Sequence, residues 1–327
     1  MKFFEIIPQG TKIDFVRFAK YAIPVSAVLV TLSLVSFLVK GFNWGIDFAG
    51  GLETKVEFIG SAKNTTIGDL RNAMDVITPK LGLSGVQVNS FMIPGKNSYT
   101  IKAKGEGNIN KVGGEGALQD LASKLLKELD AKFGDGNVKV ISTDMVGPRV
   151  GSSLRKQGIY AIIYSMIGIL IYVGVRFDFR YGPGGVISLL HDIIIVAGIF
   201  SLLGKEMNLL IIAALLTLAG YSINDTIVVF DRIREGRAGR YRNLKLADAI
   251  NRAINETLSR TVLTSGVTLL VVIALYILGG EILRDFAFAL LFGIVFGTYS
   301  SIVIASPLYL ALENMTANFR KKKKARR

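Results

Sequence analysis

Gly220-Tyr221-Ser222-Ile223-Asn224-Asp225-Thr226-Ile227-Val228-Val229-Phe230-Asp231-Arg232-Ile233-Arg234 closes an apolar run that begins near Met207. That run is long enough to cross a bilayer as a helix of roughly 20 residues. Within it stands a carboxylate, Asp225. An aspartate at the centre of a spanning helix costs about 2.5 to 3.5 kcal/mol on insertion scales, so it persists there only where it faces partners or water inside a bundle. Two readings stand: Asp225 is a functional group within the membrane, or it lies at the cytoplasmic end of the helix and is cheaply solvated.

Working outward, half of the 327 residues are apolar, mean hydropathy is +0.45, and the apolar residues are gathered in long uncharged blocks. This is the composition of an integral membrane protein. The chain has no cysteine, which excludes disulfide, thiol and thiolate-metal chemistry. His191 is the only histidine, which excludes a multi-histidine metal centre. The formal charge of +14 collects beside the apolar blocks, so topology explains it and nucleic acid is not an expected partner. No phosphate-binding loop, nucleophile motif or metal-ligand spacing occurs, so neither an ATPase nor another enzyme is expected, and no cofactor.

Residues 1–20 carry Lys2, Lys12, Arg17 and Lys20 and precede an uncharged run at 21–39. A signal peptide has a shorter apolar core and a small-residue cleavage site, so 21–39 reads as an uncleaved first helix with Pro24 in its opening turn. Residues 40–156 have the mixed charge of a soluble domain. Alternation predicts a strand at 52–58, and Ile67, Leu70, Met74 and Ile77 repeat at helical spacing within 66–81. Strands at 85–93 and 98–104 follow, joined by a turn at 94–97; a glycine-rich loop at 105–116, a helix at 117–133 and a strand at 137–145 complete the domain. The order β-α-β-β-α-β is that of a ferredoxin-like α+β sandwich.

Five more apolar runs, at 157–175, 181–204, 207–230, 261–280 and 286–312, are each long enough to span. The expectation is a polytopic α-helical membrane protein with six transmembrane helices: the first at 21–39, the rest a bundle at 157–312, then a basic tail at 313–327. An even number of crossings puts both termini on one side. Arg232, Arg234, Arg237, Arg240, Arg242, Lys245 and Arg252 crowd one loop, and 320–327 is nearly all basic, so that side is cytoplasmic. The segments 205–206 and 281–285 read as charge-balanced outer turns, and the domain at 40–156 as extracytoplasmic.

Asp225, Arg260 and the pair His191-Asp192 fall at similar depth, within roughly 10 Å of one another at ~1.5 Å rise per residue, and could form one buried polar cluster. A carboxylate beside an arginine stays ionised, while one left alone in apolar surroundings takes up a proton, so a motion that separates Asp225 from Arg260 would switch proton binding. Arg260 can equally snorkel to the headgroups, His191 can be a satisfied core histidine, and Asn224 can bond across helices or simply pack. Asp231, Arg232 and Arg234 read as a solvated, architectural helix end. Gly293 and Gly297 form a small-xxx-small pair, and Gly220 suggests close approach on the fourth spanning helix.

The residues resemble the SecF family of bacterial protein-export subunits, within the resistance-nodulation-division superfamily, over essentially the whole chain. The resemblance is carried by Gly45-Ile46-Asp47-Phe48-Ala49-Gly50-Gly51, Val146-Gly147-Pro148-Arg149-Val150-Gly151, His191-Asp192, the stretch from Gly220 to Arg234, and Ser259-Arg260-Thr261 with Thr264-Ser265. It implies a subunit of the inner membrane that pairs with SecD and uses the proton gradient to help preproteins clear the SecYEG channel, with YajC and YidC as further partners. Asp225 matches the family's transmembrane carboxylate and Arg260 the basic residue that works with it. The glycines of the first motif and Gly147-Pro148 are expected to be structural. Two other readings stay open: a passive scaffold or assembly factor, and a proton-driven exporter of another substrate, which usually carries about twice as many helices.

Overall fold

Asp14 opens the first helix, α1 (Phe15–Val39), by accepting the backbone N–H of Arg17 at 2.9 Å. The structure, a computed structural model, describes residues 8, 10–90, 96–105, 115–176 and 180–325. After α1 come β1 (Asn43–Trp44), α2 (Ile46–Ala49), β2 (Gly51–Phe58), a 3₁₀ turn (Gly60–Ala62), α3 (Ile67–Lys80), β3 (Leu83–Ser90), β4 (Asn97–Gly105), α4 (Glu115–Phe133) and β5 (Val138–Val146). The remainder is α5 (Pro148–Arg176), α6 (Gly182–Leu203), β6 (Glu206–Met207), α7 (Leu209–Ala238), α8 (Leu246–Leu278), α9 (Gly280–Ser300), a π-helical turn (Ser301–Ala305) and α10 (Ser306–Ala325). Among the described residues six helices are long and apolar enough to cross a membrane: α1, α5, α6, α7, α8, and the stretch Leu283–Thr316 that joins α9 to α10.

Between α1 and α5 lies an antiparallel sheet ordered β3-β4-β2-β5. Alternation in β2 puts Leu52, Thr54, Val56 and Phe58 on one buried face. Helical spacing in α3 puts Leu70, Ala73, Met74 and Ile77 against it, with Leu125 and Leu129 of α4 and Ile101 of β4 completing the core. α3 starts on a capping box, in which Thr66 accepts the N–H of Asp69 and Asp69 accepts the N–H of Thr66. Most of the glycine-rich loop at 105–116 falls outside the described residues, as do 94–95 of the expected turn and 326–327 of the basic end, whose first part, 320–325, continues α10.

The helices run longer than the uncharged runs that announce them. α1 begins at Phe15 and not at 21, α5 at Pro148 and not at 157, and α7 continues to Ala238 beyond 230. Charged residues are cheap once a helix has left the hydrocarbon, so loss of hydropathy does not end it. α8 starts at Leu246, well before 261, because Ala249, Ile250, Ala253 and Ile254 form a buried stripe on its first turns. Residues 281–285, expected as a turn, belong to α9; the break is supplied by Gly279 and by Gly280 at φ +70°.

In the bundle α7 is central, packed against α5, α6, α8 and α9. β1 pairs in parallel with β6, Asn43 opposite Glu206 and Trp44 opposite Met207, so the start of the domain is stitched to the turn between α6 and α7.

Candidate functional site

α7 carries Asp225 near its middle, and the side chain is 4% exposed. Ser265 of α8 donates to its Oδ2 at 3.3 Å, and the same hydroxyl lies 2.7 Å from Thr298 Oγ1 on α9. One turn nearer the domain, Ser222 of α7 donates to Asp192 Oδ2 of α6 at 2.6 Å. Ser300, at the end of α9, donates to the same oxygen at 2.7 Å, and His191 Nδ1 lies 2.9 Å from Asp192 Oδ1. Asp192 is fully buried. His191 Nε2 is buried with no hydrogen-bond partner among the described residues.

Two carboxylate nests therefore share one wall of the bundle. They are joined by α7, through Ser222 and Asp225, and by α9, through Thr298 and Ser300. The π-helical turn begins directly after Ser300 and buries Ser301. Such a widened turn interrupts the regular helical ladder, and it often marks a functional place. Hydroxyls both donate and accept, so this lining can follow a carboxyl group through a change of protonation. Asp192 is closed by three partners. Asp225, with a single long hydrogen bond, is the group with acceptor capacity to spare.

The one cluster expected of Asp225, Arg260 and His191-Asp192 is thus divided. Arg260 is exposed on α8, and no ion pair joins it to Asp225 among the described residues. Asn224 is exposed on α7 and takes no part in the interior network. The cause is helical phase, because equal depth does not bring side chains to one face. Gly220 is exposed with no neighbour within 4 Å of a would-be Cβ, whereas Gly293 and Gly297 lie against Leu218 and Ser222 of α7. Ser222 and Ser265 stand in the sequence only as parts of the motifs that carry the resemblance, and Thr298 and Ser300 are not singled out there; the available signal is a hydroxyl one turn before Asp225 and paired serines at 300–301. Asp231, Arg232 and Arg234, expected as a solvated helix end, lie half-buried within α7, which continues to Ala238; Arg234 pairs with Asp231 at 2.7 Å and Arg232 with Glu256 of α8.

The glycine motif is built by close approach. A Cβ on Gly50, at φ +82°, would come 3.0 Å from Pro148 Cα, one on Gly51 would run into Ala103 O, and one on Gly45 into Glu206. Pro148 is the first residue of α5, where a missing N–H costs nothing, while Gly147 has open space around it. Asp47 accepts the N–H of Leu209, the first residue of α7, at 3.0 Å. Among the described residues no group of three or more His, Asp or Glu could hold a metal ion.

Residues 125–315 match the family described as protein export membrane protein SecD/SecF, C-terminal, and residues 35–58 match the SecD/SecF GG motif. The protein translocase subunit SecF of Desulfurispirillum indicum is 42% identical over 299 residues, covering 90% of this chain and 90% of that protein. Its counterpart in Rhodothermus marinus is 40% identical over 324 residues, 97% of this chain and 99% of the other. The crystal structure of SecDF from Thermus thermophilus, a translocon-associated membrane protein, superposes with a TM-score of 0.75 at 36% identity over 93% of this chain. SecDF in a super-membrane-facing form gives 0.69 at 35% identity over 96%. This chain spans 39% and 40% of the length of those two SecDF chains. With six spanning helices, the glycine motif at the foot of the domain and full-length SecF relatives, the chain is a multi-pass membrane protein that belongs to the SecD/SecF family of protein-export subunits, on its SecF side.

Proposed function

We propose that this subunit works with SecD to couple the proton motive force to late steps of preprotein translocation through SecYEG. One observation carries the reading: Asp225 is buried in α7 with a single 3.3 Å hydrogen bond, and no ion pair among the described residues holds it. A carboxyl group so held gains or loses its proton when a neighbouring charge moves. A proton crossing the membrane releases about 2.3 kcal/mol per 100 mV, enough over one or two ions to shift a helix bundle. Energy enters as an ion and not through ATP, and we assign the chain no enzymatic role. Arg260 and Asn224, exposed beside Asp225, face SecD; the greater length of the SecDF chains leaves room for a second bundle against this face. His191 and Asp192 extend the path from α6, where Ser222 of α7 and Ser300 of α9 hold Asp192.

We assign the β-α-β-β-α-β unit to the ferredoxin-like class, which its strand order supports. We place it outside the inner membrane with both termini in the cytoplasm, a placement supported by the basic loop after α7. There it is positioned to meet the emerging preprotein. YajC and YidC enter as partners on resemblance alone.

Export into vesicles containing SecYEG and SecD, with and without an ion gradient, tests the reading. Asp225→Asn is expected to abolish the stimulation by the gradient while the subunit still inserts and copurifies with SecD. A neutral variant that retains the stimulation would leave a passive scaffold as the surviving account.

A further inference from the structure

The turn between α6 and α7 is held by the segment leading from α1 into the domain. Lys40 donates to Leu202 O at 2.6 Å, Ser201 to Gly41 O at 2.7 Å, and Asn43 to Gly204 O at 3.0 Å. β1 pairs with β6, the N–H of Gly45 reaches Met207 O at 2.8 Å, and Asp47 accepts the N–H of Leu209. The domain grips the same turn from above: Lys102 of β4 lies 3.7 Å from Glu206, and Lys104 donates to Asn43 at 2.7 Å. There is no slack at the crossing, since a side chain at Gly45 would collide with Glu206.

The first N–H groups of a helix have no partner within it, and the N-terminal end attracts negative charge. Asn208 caps α7 by accepting the N–H of Ile211, and Asp47 takes the N–H of Leu209. Asp47 is thus the acidic group from outside the helix that fastens its end. From that end α7 runs unbroken to Asp225, about 24 Å away at ~1.5 Å per residue. On its other side Asp47 sits in α2, directly before β2, the strand that pairs with both neighbours in the centre of the sheet.

We propose that Asp47 is a positioning residue that transmits displacement of α7 to the outer domain, so that the glycine motif acts as a mechanical link between Asp225 and the sheet. The proposal rests on the energy-coupling role assigned above. A chain of contacts is only a route; coupling requires that both ends bias one movable element, and α7 is that element. Without the Asp47 contact α7 still carries Asp225, but its displacement no longer turns the domain.

Because the chain has no cysteine, paired labels can be placed at will. Labels at Lys124→Cys on α4 and Leu278→Cys at the end of α8 report domain position in the full subunit assembled with SecD in liposomes. With Asp47 intact, Asp225→Asn is expected to shift the label distance. Adding Asp47→Ala should remove that shift while assembly with SecD persists, and Asp47→Asn, which keeps an acceptor oxygen, should restore it. A shift that survives Asp47→Ala would overturn the proposal. Hydrogen exchange separates it from the reading it rests on: Asp47→Ala should speed exchange at the Leu209 amide severalfold whatever Asp225 does, and unchanged exchange would overturn the link by itself. A label distance indifferent to Asp225→Asn, with Asp47 in place, would overturn the proposal, while the energy-coupling reading stands or falls separately on the gradient stimulation of export.

Discussion

The sheet domain and the membrane bundle both bury side chains completely, but the bundle sets a carboxylate and a row of hydroxyls among its buried apolar residues. Under the sheet, the residues with essentially no exposure are Leu52, Val56, Leu70, Ile101, Leu125 and Leu129. Inside the bundle they include Asp192, Ser222, Thr226, Thr261, Ser300 and Ser301, while Leu38, Leu270 and Leu278 stand on the outside at 87%, 69% and 82% exposure. Water drives apolar surface inward in the domain. Lipid is as apolar as leucine, so nothing drives leucine into the bundle, and helices there hold together through small residues and hydrogen bonds. The polar interior is thus the ordinary interior of a membrane bundle, sharpened by two carboxylates.

The largest test of that contrast compares equal truncations in the two regions. Ile101→Ala should cost the domain about 2 to 5 kcal/mol through lost burial and the cavity left behind. Leu270→Ala, on the face of α8, should stay within about 0.5 kcal/mol, as surface changes usually do. Urea unfolding of the full chain in detergent, followed by proteolysis within the domain, reads both, and equal effects would break the comparison.

A smaller effect comes from close packing between helices. A Cβ at Gly198 of α6 would run into Ser33 of α1, whereas one at Gly168 of α5 meets nothing within 4 Å. Gly198→Ala is expected to cost about 1 to 3 kcal/mol, the usual range for overpacking. Ser33→Gly in the same chain should recover much of it, since residues in contact do not act additively. Gly168→Ala should instead stabilise by up to about 1 kcal/mol through helix propensity. Thermal unfolding in detergent distinguishes the three.

Legibility in the sequence divides along the same line. The domain could be read because its helices and strands alternate against water: Leu70, Met74 and Ile77 mark α3, and Leu52 to Phe58 mark β2 to within a residue. The bundle gave up its spans, since uncharged length alone announces them, but not its phase. A helix in lipid is apolar almost all round, so the face on which Asp225 lies is invisible along the chain, and Arg260 at equal depth proved to be exposed. Ser265 meets Asp225, and Thr298 meets Ser265, only through the packing of α8 and α9 against α7. Asp47 was legible as part of a motif and not as a cap, because the helix it caps begins 162 residues later.

The smallest expected effect returns to the domain and asks whether a surface carboxylate there behaves unlike those in the bundle. Hydrogen bonds from the Thr66 hydroxyl and N–H hold Asp69 below the usual aspartate value of 3.8, because they favour its charged form. A carboxylate whose folded value is depressed contributes stability in full above its unfolded value; the contribution drains away as pH falls through the folded one. The domain's urea midpoint should therefore be insensitive to this group from neutrality down to about pH 5 and should decline below about 4. Asp69→Asn should flatten that acid limb. Thr66→Ala should lower the domain's stability at neutral pH by about 1 kcal/mol, the usual worth of a helix cap, and weaken the limb as well. Asp14, which caps α1 and is likewise held low by the N–H of Arg17, adds a limb of its own to any global signal. Only the difference between the parent and Asp69→Asn isolates the capping box. An acid limb of undiminished size in that variant would mean that the box is a geometric feature without thermodynamic weight, and that the domain owes its acid response to other carboxylates.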